Sequence, residues 1–370
     1  MRTVRRLLYA DIVSAVFFVA VAFLSLFFFI DFVDELADIG KDYTALHAAL
    51  HSLLELPGHL YELSPIAVLI GAIYALSRLA QSSEFTILRT GGLAPTRALA
   101  LLAGLGVIFG VLTFVVGDYV APLSERAATE LRARFRGGFS LGGSGAWLKD
   151  RSVTTQGERS YSINVERAAA DGELQNIRVF EFDGNGRLLR RIGAASGRVG
   201  SGDVWALSQV DITDWSAADA PGNQLNVVEQ KLPTYNWPST LSASVVAAAV
   251  LPEDSMSTME LFRYIIHLSD NEQAAERYEI KFWKRALYPL ACLVMVGLAL
   301  PFAYLHGRAG GVSLKVFGGI MLGISFVLLN NVAAHLGLLK GWTPWMVAAT
   351  PSLIYLLLSF AAFSWLVRYR

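Results

Sequence analysis

Six apolar segments, three on each side of one long polar insert, set the limits on what this chain can fold into. A helix crosses roughly 30 Å of hydrocarbon with about 20 apolar residues. Runs of that length lie near residues 12–31, 60–80, 98–120, 281–303, 313–337 and 345–367. Backbone polar groups in hydrocarbon have to be satisfied within their own segment, so each run is expected to be a helix. The first run reads as a retained helix rather than a signal peptide. Asp11 precedes its phenylalanine-rich core, which leads into Phe32-Val33-Asp34-Glu35 with no small-residue cleavage site. An apolar share of 54% and a mean hydropathy of +0.45 agree that a bilayer is the main solvent.

Thirty-one basic residues balance thirty-one acidic ones, so the overall charge does not suggest a nucleic-acid or other polyanion binder. Local charge carries the information. Arg2, Arg5 and Arg6 precede the first run, and Arg78, Arg89 and Arg97 fall between the second and third. Arg308 and Lys315 separate the fourth and fifth, and Arg368 and Arg370 follow the sixth. The segment after the first run holds Asp31, Asp34, Glu35, Asp38 and Asp42 against Lys41 alone. Basic residues stay on the cytoplasmic side, so both termini are expected there and the insert on the opposite face. Cys292 is the only cysteine and lies in an apolar run, which excludes an intrachain disulfide and reads as a small core residue.

The insert, about 140–250, changes character to short alternating runs separated by Gly, Asn and Asp, the pattern of β-strands. Leu174–Phe182, Arg187–Ile192, Val204–Thr213 and Leu225–Leu232 read as strands, with Asp183-Gly184-Asn185-Gly186 as a hairpin turn. The expected fold is thus an α-helical membrane protein with six transmembrane helices (3+3) and an inserted all-β domain on the face opposite the cytoplasm, a jelly roll or open β-sandwich, which the resemblance given below makes periplasmic. The expected domains are 1–139 with the first three helices, 140–255 as the β domain, and 256–370 with a connecting helix and the last three. The β domain is either a spacer or an open sheet whose edge accepts strands from another β protein.

Between the second and third runs, residues 81–92 read as a short interfacial helix. Ser82 or Ser83 is expected to cap it, Glu84 sits near its positive end, Phe85, Ile87 and Leu88 supply apolar contacts, and Gly91-Gly92 before Pro95 stop it. No G-x-x-x-x-G-K-[ST] phosphate loop occurs, and the insert offers no nucleophile, base and orienting acid in a usable pattern. No catalytic residue and no metal site are therefore expected. His47 and His51, with His59 nearby, read as isolated surface histidines, and Asn330, Asn331 and His335 as hydrogen-bonding groups between helices.

These features together resemble the lipopolysaccharide export permeases, the LptF/LptG family, and the LptG type more than the LptF type. The resemblance rests on Phe32-Val33-Asp34-Glu35-Leu36, Leu56-Pro57-Gly58, Leu63-Ser64-Pro65, and Leu79 through Glu84 to Gly91-Gly92. It continues with Val120-Ala121-Pro122, Trp147-Leu148-Lys149-Asp150, and Lys284 with Pro289. It implies a non-catalytic permease subunit of a Gram-negative inner membrane, passing lipopolysaccharide from that membrane to a periplasmic β bridge. The implied partners are an LptF-type permease, an LptB-type ATPase dimer that uses the ATP and Mg, an LptC-type single-span protein and an LptA-type bridge. This chain itself is expected to bind no cofactor.

The resemblance makes the segment around Glu84 an ATPase-coupling helix, with Phe85, Leu88, Arg89, Gly91 and Gly92 as its other members. It places a phosphate-contacting arginine at Arg132, to which the sequence adds Arg134 and Arg136 as neighbouring cations, with Lys41 after the first helix. Phe27 and Phe28 of the first helix and Phe317 of the fifth, lightened by Gly318, Gly319 and Gly323, are candidates for an apolar wall against acyl chains. Where relatives carry lysines after the first helix, this chain has Asp31, Ala37 and Asp38, and divalent ions bridging these carboxylates to lipid phosphates are one reading left open. An LptF-type subunit, a secondary transporter and a membrane-tethered scaffold are the alternatives. The transporter needs an ion-coupling site that the later helices do not offer, and the scaffold tolerates changes at Glu84 and Gly91.

Overall fold

The computed structural model describes residues 2–40, 42–136, 139–140, 145–154, 157–168, 173–200, 204–217, 225–239, 241, 245–246, 256–270, 275–304 and 311–369. They form two compact units, Met1–Glu125 with Glu276–Arg370, and Arg126–Ala275.

The first unit is helical. It holds α1 (Arg2–Leu36), α2 (Ala45–Gln81), the short α3 (Glu84–Thr90) and α4 (Pro95–Val115). A π-helical turn (Val116–Val120) joins α4 to α5 (Ala121–Arg136), whose later residues belong to the second unit. After the second unit come α7 (Glu276–Tyr304), α8 (Val312–Lys340) and α9 (Pro344–Tyr369). Six helical stretches among the described residues are long and apolar enough to cross a membrane, at the places the sequence indicates.

The second of these stretches is longer than its apolar run. α2 starts at Ala45 because Thr44 adopts extended backbone before it and the Thr44 N–H donates to His47 Nδ1 at 3.2 Å, closing the first turn. Pro57 and Pro65 lie inside the helix and remove two backbone donors. Hydroxyls from elsewhere reach carbonyls in this region: Ser124 donates to Leu54 O and Tyr288 to Glu62 O.

α2 is also the centre of the helical unit. In its most apolar window 72% of residues are buried, against 17% in α1 and 22% in α8, so the latter two present their sides outward. Leu8 and Ile12 of α1, Leu69, Ile73 and Leu76 of α2, Leu102 and Leu105 of α4, and Cys292, Met295 and Leu300 of α7 share one packed core. Water is absent from hydrocarbon, so close packing rather than removal of apolar surface from water holds these helices together. Gly71 shows how close the approach is. A Cβ there would lie 2.6 Å from the backbone N and Cα of Val16, so any side chain would push α1 away.

Among the described residues the second unit is built on an antiparallel sheet of seven strands: β1 (Phe139–Ser140), β2 (Ala146–Thr154), β3 (Gly157–Ala168), β4 (Leu174–Phe182), β5 (Leu188–Val199), β6 (Val204–Ala217) and β7 (Leu225–Pro238). From β2 to β7 each strand pairs with the next, and β1 extends the edge that β2 forms against β3. In the β4–β5 turn Gly186 takes positive φ (77°), and Asp183 Oδ1 accepts the backbone N–H groups of Asn185 and Arg187 at 2.9 and 2.8 Å.

The pairing is continuous, so the sandwich arises by one sheet bending over itself. Tyr161 of β3 meets Trp237 of β7 with ring centroids 5.8 Å apart, although three strands separate them in the pairing order. Trp205, opposite Trp237 in register, is fully buried between them and Ile163, Val179 and Ile192. A transverse crease assists the bend. Asn176 and Gln209 take φ of 52°, and pairing skips from Gln175↔Ser196 to Ile177↔Ala194 and from Ala194↔Val210 to Ser196↔Ser208. The buried face switches parity there: Leu174 then Ile177 and Val179, and Trp205 and Leu207 then Val210 and Ile212. A helix, α6 (Thr258–Asp270), completes the unit.

Candidate functional site

α3 is too short to stand alone as an isolated helix, so tertiary contacts have to hold it. Phe85 is 2% exposed and meets Tyr304 of α7 edge-on at 5.1 Å, while Leu88 and Leu93 face the same core. Arg89 lies over the Tyr304 ring at 5.0 Å. The helix ends in a Schellman turn. The Leu93 N–H donates to Leu88 O and the Gly92 N–H to Arg89 O, both at 3.0 Å, with Gly92 at φ 98°.

The two glycines therefore differ. Gly92 needs its left-handed conformation, whereas Gly91 (φ −73°) does not. The expected serine cap is not formed. Ser83 precedes the helix in the left-handed region with no side-chain cap, and Ser82 Oγ turns back to Leu79 O at 3.3 Å. The tight exit from α2 sets these backbone angles, and they point the hydroxyls away from the open N–H groups.

The α3 residues named from sequence thus divide into two sets. Phe85 is buried and Leu88 half-buried, both packed against the helical core. Glu84 and Arg89 are exposed, and the Glu84 carboxylate makes no ion pair among the described residues. Ile87, 66% exposed, adds an apolar contact next to Glu84 on the open face.

The far ends of α1 and α2 carry a second concentration of polar groups. Asp31 and Glu35 lie four apart on α1, and His51, Glu55 and His59 lie four apart on α2. His59 Nε2 is 2.8 Å from Asp31 Oδ2, and Phe27 stacks on His59 at 4.7 Å. His51 is 3% exposed, so it is not the surface histidine that the sequence suggests. The early start of α2 turns it toward α1, with Nδ1 3.7 Å from Glu35 and 3.8 Å from Glu55. The Tyr43 hydroxyl donates to Glu35 Oε2 at 2.8 Å.

Phe28 stacks on Phe32 at 6.0 Å and Phe317 is 57% exposed on α8. Gly319 and Gly323 allow the close approach of α8 to Ile73 and Ile66 of α2, while Gly318 opens on space. Among the described residues the hydrogen bonds of Asn330 and His335 do not bridge helices. Asn330 donates to Phe326 O at 3.0 Å and His335 Nδ1 lies 3.2 Å from Asn331 O, both one turn back in α8 itself.

Among the arginines of α5, Arg132 is half-buried and Arg134 pairs with Glu130 at 2.6 Å. Arg136 ends the helix, its side chain outside those described, and Lys41 lies outside the described residues altogether. Arg126 is committed to the fold. It pairs with Glu260 of α6, which closes a capping box by accepting the Ser257 N–H at 2.9 Å. Burial alone would raise the Glu260 pKa. The bonds from the Ser257 backbone and hydroxyl and from Arg126 outweigh it and hold the carboxyl below its ordinary value of 4.5.

Two features escaped sequence reasoning. At the π turn the Arg285 guanidinium donates to Gly117 O at 2.7 Å and lies over Tyr61 at 5.7 Å, a knot between α2, the turn and α7. On the sheet crease a groove of about 580 Å³ is lined by Arg178, Arg191 and Lys231 with Asp211.

A family model described as lipopolysaccharide export system permease LptF/LptG matches residues 6–366. The chain belongs to the LptF/LptG family. The lipopolysaccharide export system permease protein LptG of Escherichia coli (strain K12) is 30% identical over 334 residues, 89% of each chain. LptG of Haemophilus influenzae is 25% identical over 365 residues, 96% of each chain. The resemblance read from the sequence motifs, including its LptG type, is borne out. In this LptF/LptG-family chain the six apolar helices and the inserted sheet lie within one continuous match.

Proposed function

We propose that this chain is the LptG-type permease subunit of an ABC exporter that extracts lipopolysaccharide from the outer leaflet of a Gram-negative inner membrane. The observation that carries the reading is the family match over residues 6–366, joined to a helix, α3, that is buried on one side and bare on the other. ATP is hydrolysed by a partner LptB-type dimer, whose groove receives Glu84, Ile87 and Arg89. Phe85 and Leu88 pass the motion inward, because they join α3 to α7 through Tyr304 and the helical core. A carboxylate at Glu84 suits pairing with an arginine of that groove.

An LptF-type subunit supplies the other half of the cavity, and an LptC-type helix inserts beside α1. Phe27 and Phe28 of α1 and Phe317 of α8 line an apolar wall against acyl chains, and Arg132, with Arg134, Arg136 and Lys41, meets phosphates at headgroup level. Both termini are cytoplasmic and the sheet unit is periplasmic. Closure of the cavity drives the lipid to an LptC-type and LptA-type bridge, which adds to an open sheet edge. β7, paired among the described residues with β6 alone and carrying exposed Val227 and Val228, supports that role.

The test is ATP-driven transfer of lipopolysaccharide from proteoliposomes of the assembled exporter to the soluble bridge protein. Glu84→Ala is expected to abolish transfer and weaken ATPase association while the chain still inserts and folds. Transfer at the wild-type rate in that variant would overturn the coupling assignment.

A further inference from the structure

The polar ends of α1 and α2 form a cluster that the export mechanism does not require. Asp31, Glu55 and His59 each offer a ligand atom, and these atoms lie within 4.8 Å of one another. An ion about 2.1 Å from each ligand in a tetrahedral array separates them by roughly 3.4 Å, so modest side-chain rotations close the site. Glu55 and His59, four apart on one helix, present their ligands from the same face, and Asp31 opposes them from α1.

His51 supplies the independent observation. It is 3% exposed, its Nδ1 makes no hydrogen bond among the described residues, and that nitrogen lies 3.7 Å from Glu35 and 3.8 Å from Glu55. A buried nitrogen left this way costs free energy unless something fills the gap. Charge argues in the same direction. Three carboxylates of restricted exposure, Asp31 (16%), Glu35 (7%) and Glu55 (38%), converge on two histidines that are neutral in their metal-binding form. A divalent cation would offset that negative charge.

We propose that Asp31, Glu55 and His59 bind one divalent ion of the zinc class, with His51 one turn beyond the site, its Nδ1 3.8 Å from the Glu55 carboxylate. The histidine nitrogen selects against Mg²⁺ and Ca²⁺, which take oxygen ligands. The ion pins the end of α1 to α2 beside Phe27. On the lipid-export reading proposed above, the ion also places positive charge at the level of Asp31 and Phe27.

The experiment uses the full chain in detergent, stripped with chelator and titrated with Co²⁺ as a spectroscopic substitute. The expected result is one saturable site per chain with visible d–d absorption of a nitrogen- and oxygen-ligated ion, displaced by Zn²⁺ and not by Mg²⁺. His59→Gln and Glu55→Gln are each expected to lower Co²⁺ affinity by about tenfold or more. Asp34→Asn, which removes an exposed carboxylate of α1 outside the cluster, is expected to leave it unchanged. The wild type alone suffices to overturn the proposal, whatever the variants do to folding. Absence of a saturable Co²⁺ spectrum in the wild type, or an unchanged affinity in both His59→Gln and Glu55→Gln, would mean the histidines serve only as ion-pair partners. Such a failure leaves the export assignment untouched, because metal binding is read without transport.

Discussion

Replacing Phe85 by Ala tests the claim that α3 is ordered by what it buries rather than by its own helix propensity. Phe85 is almost fully enclosed against Tyr304 and the helical core. Truncating a buried Phe to Ala costs about 3–5 kcal/mol, including roughly 0.5–1.5 for the lost ring pair. A seven-residue helix has no comparable reserve, since isolated helices of that length do not persist in water. A loss of about 3 kcal/mol raises the open population roughly a hundredfold, at about 1.4 kcal/mol per factor of ten.

Hydrogen exchange measured by mass spectrometry on the full chain reads this directly. The N–H groups of Ile87, Gly91 and Leu93 are bonded to Ser83 O, Ile87 O and Leu88 O. They are expected to exchange about a hundredfold faster in Phe85→Ala, while Phe85→Leu keeps most of the protection and Ile87→Ala, on the bare face, keeps all of it. Exchange in Phe85→Ala within about twofold of wild type would refute the reasoning, because α3 would then be held by something other than its buried side.

Gly71→Ala is expected to lower the melting temperature of the detergent-solubilised chain, although Ala is the better helix former by about 1 kcal/mol, because its Cβ meets the Val16 backbone. Gly318→Ala, with nothing within 4 Å, is expected to leave or raise it; equal effects at the two sites would count against the packing argument. Ser257→Ala is expected to cost about 1 kcal/mol in the sheet unit by opening the cap of α6, measured by thermal melts followed by circular dichroism. Glu260 titrates lower in the folded state than its ordinary 4.5. Its contribution is therefore complete above that value and lost as pH falls through the depressed folded one. Glu260→Gln is expected to flatten the acid limb of the melting curve, and an unchanged limb would contradict the assignment.

The gross architecture is legible because hydrocarbon imposes it. Six apolar runs become helices since nothing else satisfies their backbone, and the alternating runs of the insert become strands. The β4 boundaries are recovered as read, Leu174–Phe182, because a well-marked turn follows. The length of α2 is not legible in the same way. The apolar run begins near residue 60, yet the helix extends back through Pro57 to Ala45, and so His51 is buried rather than exposed. The spacing of His51, Glu55 and His59 by fours is present in the sequence, but its meaning depends on the segment being helical. The division of α3 into an inward and an outward face could not be assigned from seven residues, because periodicity needs a longer window. The parity switch at Asn176 and Gln209 leaves no sequence signal, as either residue also fits a regular strand position.

The most direct test of the central claim is mass spectrometry of what accompanies this chain when it is extracted gently from its native membrane through a C-terminal tag. The account predicts recovery of a second six-helix permease, an ATPase and bound lipopolysaccharide, with Glu84→Ala losing the ATPase and retaining the permease. Recovery of the chain without ATPase or lipopolysaccharide, repeated in a milder detergent, would contradict it.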